Sequence, residues 1–576
     1  MLTVRYNESA FILMMQSVCG LSLVAVYKES FISEVVCVCV CVCVIVHTCQ
    51  CNMTPRKRNT IGFRTEEQLA EAVNEILNDS DSDGDNIPEF SSSEESESES
   101  GNASDNESNI SIPGPKHRQT DVTPTTGFSK NDHEPRIPPF IGNPGVKFAV
   151  ENEADVMSYF DHYIPPELIE IVVDQTNLYA QQQIEKMPRP VTKYARSEEW
   201  KPVTVIEMKK FLGLIFLTGI VPKPKLELYW STREIFRTPI FSKTMSRNRF
   251  QLIQRYLHFN DNNAAGTNED RLYKIRTILD IVVNNFRTNY IPDREISLDE
   301  GMLGWRGRLR FRVYNPSKIT KYGILVRMVC ESSTGYICNL QIYDGKCGPL
   351  TETVGFLLQP YEGKGYHLYQ DNYYNSVRQT NELLQKLIRV CGTIRVNRGL
   401  PKDMIEEAKK LKKGEVTFRR DQEILLISHQ DKRLVNMIST LHTAEVVETT
   451  NRRTGVAKKK PRCVIDYNSH MHGVDTADQY LAYYPFIRKT VKWPKKVFFY
   501  LLQCCLFNSY VTFSKNNPNS RKSFLDFMSD ITENLIHASD AVSSPSSSFD
   551  ESQGSSRTPT PTPPKRAPKK DPPWQA

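Results

Sequence analysis

The sequence predicts an α/β fold: a ribonuclease-H-like core broken by one insertion, preceded by a mostly α-helical region and flanked by disordered termini. Three observations carry this. Between residues 295 and 399, β-rich runs and helical segments follow in the order strand, strand, strand, helix, strand, helix, strand. A polar, Lys/Arg-rich stretch at 400–462 interrupts that series before a further helix begins at HGVDTADQY. The segments at both ends lack the large apolar residues from which a core is built.

The elements run as follows. Phe11–Tyr27 is apolar, but its 17 residues fall short of the roughly 20 that cross a bilayer, so no membrane association is expected. Val36–Val44 reads VCVCVCVCV, as alternating TGT and GTG codons would. Residues 1–52 are therefore read as a repeat-derived extension, with Met53 as the expected start. Residues 53–135 are Ser-, Asp-, Glu- and Pro-rich and are expected to be a disordered acidic region, with one short helix at Glu66–Leu77.

Residues 136–294 read as mostly helical. Thr204 and Glu207 have capping-box spacing ahead of the apolar run EMKKFLGLIFLTGI. Met245–Phe259 places Phe250, Ile253, Tyr256 and Leu257 on one side of a helix. The core (295–399) then opens with a strand at Ile296–Asp299. Tyr322–Glu331 and Tyr336–Gly345 form a hairpin through SSTG, and Leu350–Tyr361 is a short helix. Tyr366–Asp371 is a strand, Asn375–Cys391 a helix and Thr393–Val396 a strand. Residues 400–462 are the insertion, 463–515 complete the core, and 516–576 are expected to be a disordered Ser/Pro/Lys-rich tail.

Charge and cysteine usage bound the chemistry. Eleven acidic residues and no Lys or Arg lie between Asp79 and Glu107; without them a net charge of +6 becomes +17. A body this basic suits a polyanion such as nucleic acid, or is simply a solvated surface. Seven of the 14 cysteines precede residue 52, and the other seven contain no CxxC pair, which argues against a zinc or disulfide framework.

Within a ribonuclease-H-like order, Asp299 sits on the first strand, Asp371 ends the fourth, and Asp475 starts the late helix, with Asp478 one turn on. These positions converge at one sheet edge. Close carboxylates resist ionisation unless cations neutralise them, and oxygen-only ligands suit Mg²⁺. Two such ions can activate an attacking oxygen and stabilise a leaving one. A turn, an N-cap or a surface position would explain any one of these aspartates alone.

Four stretches carry a resemblance over about Arg136–Asn516: YWSTREIFRTPIFSKTMSRNRF, ISLDEGMLGWRGRLRFRVYNPSKITKYGI, YHLYQDNYY, and HGVDTADQY followed by KWPKK. The chain resembles the transposases of the piggyBac family and the proteins derived from them. The resemblance implies that Asp299, Asp371 and Asp475 are a catalytic triad with Asp478 as accessory carboxylate, holding two Mg²⁺ ions, with Mn²⁺ as substitute. It implies cut-and-paste transposition: water frees a 3′-OH at the transposon end, a hairpin forms, and the opened end joins TTAA sites in double-stranded DNA. It also implies a nuclear homodimer, with DNA bound by the helical region, the insertion and the segment after Asp475.

Arg306, Arg308, Arg310 and Arg312 alternate along GWRGRLRFR; on one strand face they would follow a phosphate backbone, or line a solvated edge. Trp493 matches a family aromatic near the reacting DNA, or is a core aromatic; Lys495 and Lys496 beside it are further DNA-contact candidates. KKKPR (Lys458–Arg462) and KRAPKK (Lys565–Lys570) are nuclear-import candidates. After Cys505 the only Cys or His is His537, whereas many family members end in a Cys/His-rich zinc module. The alternative expectation is therefore a domesticated or relic nuclear DNA-binding protein without catalytic activity.

Overall fold

The computed structural model describes residues 127–539 except 187–198, 264–269, 317, 319, 347, 451–456, 487–489 and 491, together with three strands near the N-terminus. Those strands, β1 (Leu2–Asn7), β2 (Ala10–Gln16) and β3 (Ser22–Tyr27), pair antiparallel in a unit of their own. The VCVC run, the acidic stretch, the helix expected at Glu66–Leu77 and Lys565–Lys570 lie outside the described residues.

The helical region comprises α1 (Val156–Tyr163), α2 (Pro166–Glu185), α3 (Val205–Ile220), α4 (Pro239–Thr244), α5 (Arg247–Tyr256) and α6 (Arg276–Asn289). Asp155, Thr204 and Ser246 cap α1, α3 and α5 by accepting backbone N–H bonds. The expected box at α3 is half formed. Thr204 takes the N–H of Glu207, but the Glu207 carboxylate turns to Arg249 of α5 at 2.6 Å. α6 runs into β5 (Tyr290–Ile291), which pairs with β4 (Gly145–Val146), and the chain then enters the sheet.

That sheet is built from β6 (Glu295–Gly304), β7 (Val313–Tyr314), β8 (Tyr322–Glu331), β9 (Ile337–Ile342), β10 (His367–Gln370), β11 (Arg389–Thr393), β12 (Val416–Asp421), β13 (Ile424–Gln430) and β14 (Leu434–Ser439). Its order is β12-β13-β14-β11-β10-β6-β8, with β9 and β7 both paired to β8. β6 pairs antiparallel with β8 and parallel with β10, and β10 parallel with β11. This is the expected ribonuclease-H-like arrangement. Helices α7 (Leu350–Leu358) and α8 (Val377–Gln385) supply its crossovers.

Four boundaries differ from expectation. The helix after Asp371 stops at Gln385, Leu387 adopts φ 56°, and the strand runs 389–393 rather than 393–396. Residue 392 must be glycine there, because a Cβ would collide with the Gln370 carbonyl of β10. Residues 400–462 do not form a separate module. After α9 (Lys402–Ala408), β12–β14 extend the main sheet, and only the hairpin of β15 (Val446–Thr450) and β16 (Ala457–Pro461) stands apart. Residues 127–135 are ordered: Ser129 pairs with Arg420 of β12, whose buried guanidinium meets Asp132 at 2.6 Å.

The expected tail also begins too early. After α10 (Arg462–His470), α11 (Gly473–Tyr483) and α12 (Trp493–Asn516), α13 (Phe524–Ile536) starts with a complete Ser523/Asp526 capping box and packs on α3. Gly213 allows that contact, since a Cβ there would lie 2.9 Å from Ile536. α12 is the one helix among the described residues long and apolar enough to cross a membrane, and it is buried in the core. Its Asn508 side chain bonds both N–H and C=O of Ile337 at 2.9 Å, closing the edge of β9. Phe527, fully buried on α13, tests this packing. Phe527→Ala is expected to cost about 3–5 kcal/mol in urea unfolding, where a disordered tail would register nothing.

Candidate active site

The sheet register alone brings two aspartates together. Leu298 of β6 lies beside Gln370 of β10 in a parallel pair, so Asp299 and Asp371 are next along the two chains. Each is half-buried and fixed locally. Asp299 Oδ1 accepts the Glu300 N–H at 2.8 Å, and Asp371 Oδ1 accepts the Tyr373 N–H at 2.8 Å in an Asx turn.

The third element is α11, which docks its first turns on β6 and β8. Two glycines make this close approach work. A Cβ at Gly473 would lie 2.8 Å from the Glu331 carbonyl, and one at Gly301 would lie 3.1 Å from Asp478 Oδ1. Asp478 therefore faces β6, whereas Asp475, one turn earlier, is exposed with Oδ2 3.4 Å from His472 Nδ1. The structure thus gathers Asp299, Asp371 and Asp478 at one sheet edge, with Asp475 at the rim.

Like charges in a partly dry site raise one another's pKa. Burial, then Asp299, push Asp371 up to about 6, while the Tyr373 N–H, Arg395 and Lys318 pull it back. Burial pushes Asp478 up to about 7, with Lys318 opposing and Asp299 and Asp475 adding. Glu300, on the sheet's other face, is raised by burial, Asp299 and Asp371, and accepts the Tyr374 hydroxyl at 2.6 Å.

Lys318 is the functional residue that motif reading missed. Its Nζ donates to the Glu300 carbonyl at 2.9 Å. Burial disfavours its charge, but Asp299, Glu300, Asp478 and Asp475 outweigh that and raise its pKa. Arg395 was also missed; it is anchored on Asn372 at 2.9 Å and lies over the Tyr373 ring. Both lie in legible basic positions, Lys318 within NPSKITKYG, but nothing in their spacing says which carboxylates they face.

The donor set is all oxygen and charge-excessive, which fits a hard divalent cation. Among the described residues no three His, Cys, Asp or Glu side chains are already drawn together as a coordination shell. Burial first and neighbouring negative charge second raise these carboxylates, and a dication would favour their ionised form.

The basic candidates divide. Arg306, Arg308, Arg310 and Arg312 are exposed, as expected, but lie on a loop and turn between β6 and β7, not on a strand face. β6 ends at Gly304, before the run, and buried Trp305 and Val313 flank the arginines while Phe311 turns inward among them. Phe311 meets Trp493 edge-to-face at 5.3 Å, pinning this loop to the start of α12. Trp493 is half-buried against the main core, and Lys496 is half-buried with its pKa lowered by burial. Lys495 does not face outward. It is buried and donates to the carbonyls of Gln254 (2.5 Å) and Arg255 (2.9 Å), capping the C-terminus of α5. Lys458–Lys460 lie on β16, and Arg462 begins α10.

The chain is similar to known proteins. The profile of the family described as Transposase IS4 matches residues 155–510. Human PiggyBac transposable element-derived protein 2 is 25% identical over 420 residues, covering 69% of this chain and 68% of that protein. Human PiggyBac transposable element-derived protein 3 is 25% identical over 388 residues, 63% of this chain and 62% of its own length. A cryo-EM structure of a piggyBac transposase synaptic complex with hairpin DNA superposes with a TM-score of 0.60 at 26% identity, covering 68% of this chain and 82% of that one.

The electrostatics make a signed prediction. Carboxyls whose folded pKa is raised bind more protons folded than unfolded, so their contribution to stability is lost as pH rises from about 4 through about 7. Without divalent ions, Asp478→Asn should therefore be more stable than wild type at pH 8, by on the order of 1–2 kcal/mol after discounting for partial exposure. The difference should shrink as pH falls through about 7 and vanish only below about pH 4, as read by urea unfolding in EDTA.

Proposed function

The chain belongs to the piggyBac transposase family, and on that premise we propose that it is a metal-dependent DNA-strand-cleaving and strand-transferring enzyme of cut-and-paste transposition. The observation that carries this reading is the placement of Asp299, Asp371 and Asp478 on three separate elements at one sheet edge, with Asp475 at the rim. Family membership implies divalent-metal dependence. In this proposal the four carboxylates hold two Mg²⁺ ions, which Mn²⁺ can replace. When bound, the metal supplies Lewis-acid stabilisation of the attacking and leaving oxygens of a phosphodiester.

The chain's own residues do the rest. The adjacent strands hold Asp299 and Asp371 side by side, and the docked helix brings Asp478 over them. The Lys318 ammonium offsets the excess charge before and between substrates. The exposed arginines on the β6–β7 loop, together with Trp493 and Lys496, offer a surface for the duplex backbone next to the carboxylates. The similarity to a synaptic complex with hairpin DNA supports double-stranded transposon ends as substrate. TTAA target sites, a homodimer assembled through 136–294 and 463–515, and action in the nucleus complete the proposal.

A second reading has its own support: the human relatives are transposable element-derived proteins. On that reading the chain binds DNA without cutting it. A labelled duplex carrying the element's terminal repeat beside TTAA, incubated with Mg²⁺, separates the two. The proposal expects hairpin product from the wild type and at least about 100-fold less from Asp371→Asn, with duplex affinity unchanged. Wild-type binding without any Mg²⁺-dependent product would favour the second reading.

A further inference from the structure

Arg327 lies opposite Glu300 in the β6–β8 register, one residue along from the Asp299 pairing, so it leaves the sheet on the face away from the carboxylate site. On that face α6, β8, β9 and α7 enclose a cavity of about 480 Å³. Its charged lining is Arg276, Arg287, Arg327 and Lys346 against Asp280 and Asp344, and Asp270 outside the lining also pairs with Arg276, so one positive charge remains in excess.

The carboxylates nearby are bound to groups other than Arg287 and Arg327, with Asp344 Oδ1 accepting the Lys346 N–H at 2.9 Å. Asp280 pairs with Arg276 at 3.5 Å, Asp270 takes the same guanidinium at 2.8 Å, and Glu300 accepts from Tyr374. Arg287 and Arg327 have no carboxylate within ion-pair distance among the described residues. Arg287 directs Nε and Nη2 at the neutral Asn339 carbonyl oxygen (3.1 and 2.9 Å) and rests one face over Phe356 at 5.3 Å. Arg327 is only 7% exposed, reaches Thr353 Oγ1 at 3.5 Å, lies over the Tyr343 ring, and leaves Nε without a hydrogen-bond partner. Gln341, its cross-strand neighbour, likewise leaves Oε1 unpartnered, and a bond between the two would still leave the guanidinium charge uncompensated.

Burying a cation against neutral partners is costly unless an anion completes the site. Planar guanidinium forks held by aromatic faces match the oxygens of a tetrahedral oxyanion, and two guanidiniums without a carboxylate partner offer such an anion its counter-charge. We propose that this cavity binds a phosphate group, gripped between Arg287 and Arg327 with Lys346 at its rim, at a site separate from the carboxylate cluster. That phosphate comes either from the backbone of bound DNA or from a free phosphate compound.

The test is calorimetric titration of the full chain with inorganic pyrophosphate in EDTA, which keeps metal-bound pyrophosphate away from the carboxylates. Wild type and Asp371→Asn should bind alike, and Arg287→Gln about tenfold more weakly. Arg287 sits on a helix flank, so its substitution keeps the test valid even where Arg327→Gln, within a strand, unfolds the sheet; thermal unfolding verifies the fold of each. Competition by a labelled duplex, with a salt slope lowered by about 1 in Arg287→Gln, identifies backbone phosphate as the source. Pyrophosphate binding untouched by excess duplex identifies a free phosphate. Failure of pyrophosphate to bind, with duplex affinity the same in wild type and Arg287→Gln, overturns the proposal, as does equal pyrophosphate affinity in the two.

Discussion

Asp299 and Asp371 leave adjacent parallel strands side by side, and their repulsion sets the terms for the surrounding structure. Two like charges so placed in a partly dry site repel, and Asp371 is raised to about 6 by burial and then by Asp299. The chain holds them there by rigid means. β6 and β10 are central strands flanked on both sides, and Gly301 and Gly473 let α11 bring Asp478 in as well. The compensations are local: Lys318 behind the Glu300 carbonyl, Arg395 near Asp371, and carboxyls raised to about 6 and about 7. A site that concentrates negative charge at such cost is built to receive positive charge.

The sheet keeps two electrostatic compartments apart. One face carries the acidic edge; the other carries Arg287 and Arg327 beside their aromatic neighbours. Glu300 stands on the second face and is still raised by Asp299 and Asp371 across the strand. α12 binds this arrangement to the helical region. Its buried length packs on α1 and α6, Asn508 completes the β9 edge, and Lys515 near its end reaches Asp293 at 3.1 Å and the fully buried Glu331 at 3.6 Å.

The core strands were legible because their apolar runs are long and bounded, and the positions of Asp299, Asp371 and Asp475 followed from strand order. What local pattern could not resolve was decided by tertiary contact. β12–β14 read as a polar insertion because Arg419 and Arg420 sit among the apolar residues, yet both guanidiniums are buried on ion pairs with Asp403, Glu407 and Asp132. The arginines after Trp305 read as a strand from alternation alone, but β6 ends at Gly304 and the run continues as loop and turn. Lys495 reads as a DNA contact beside Trp493, but the open carbonyls of α5, some 240 residues earlier, claim it. The helix 524–536 has a clear capping box, and only the Ser/Pro-rich sequence beyond it obscured the signal. Lys318 shows the limit most plainly, since no spacing rule places a loop lysine among carboxylates from three distant elements.

The most direct test of this account is Mn²⁺ binding to the full chain, followed by electron paramagnetic resonance of the free ion. The account predicts saturable binding at pH 8 by the wild type that weakens steeply in Asp299→Asn, a side chain whose charge acts on both Asp371 and Asp478. Binding that is the same in Asp299→Asn, or no saturable binding at millimolar Mn²⁺, would contradict the claim that this sheet edge is a divalent-cation site.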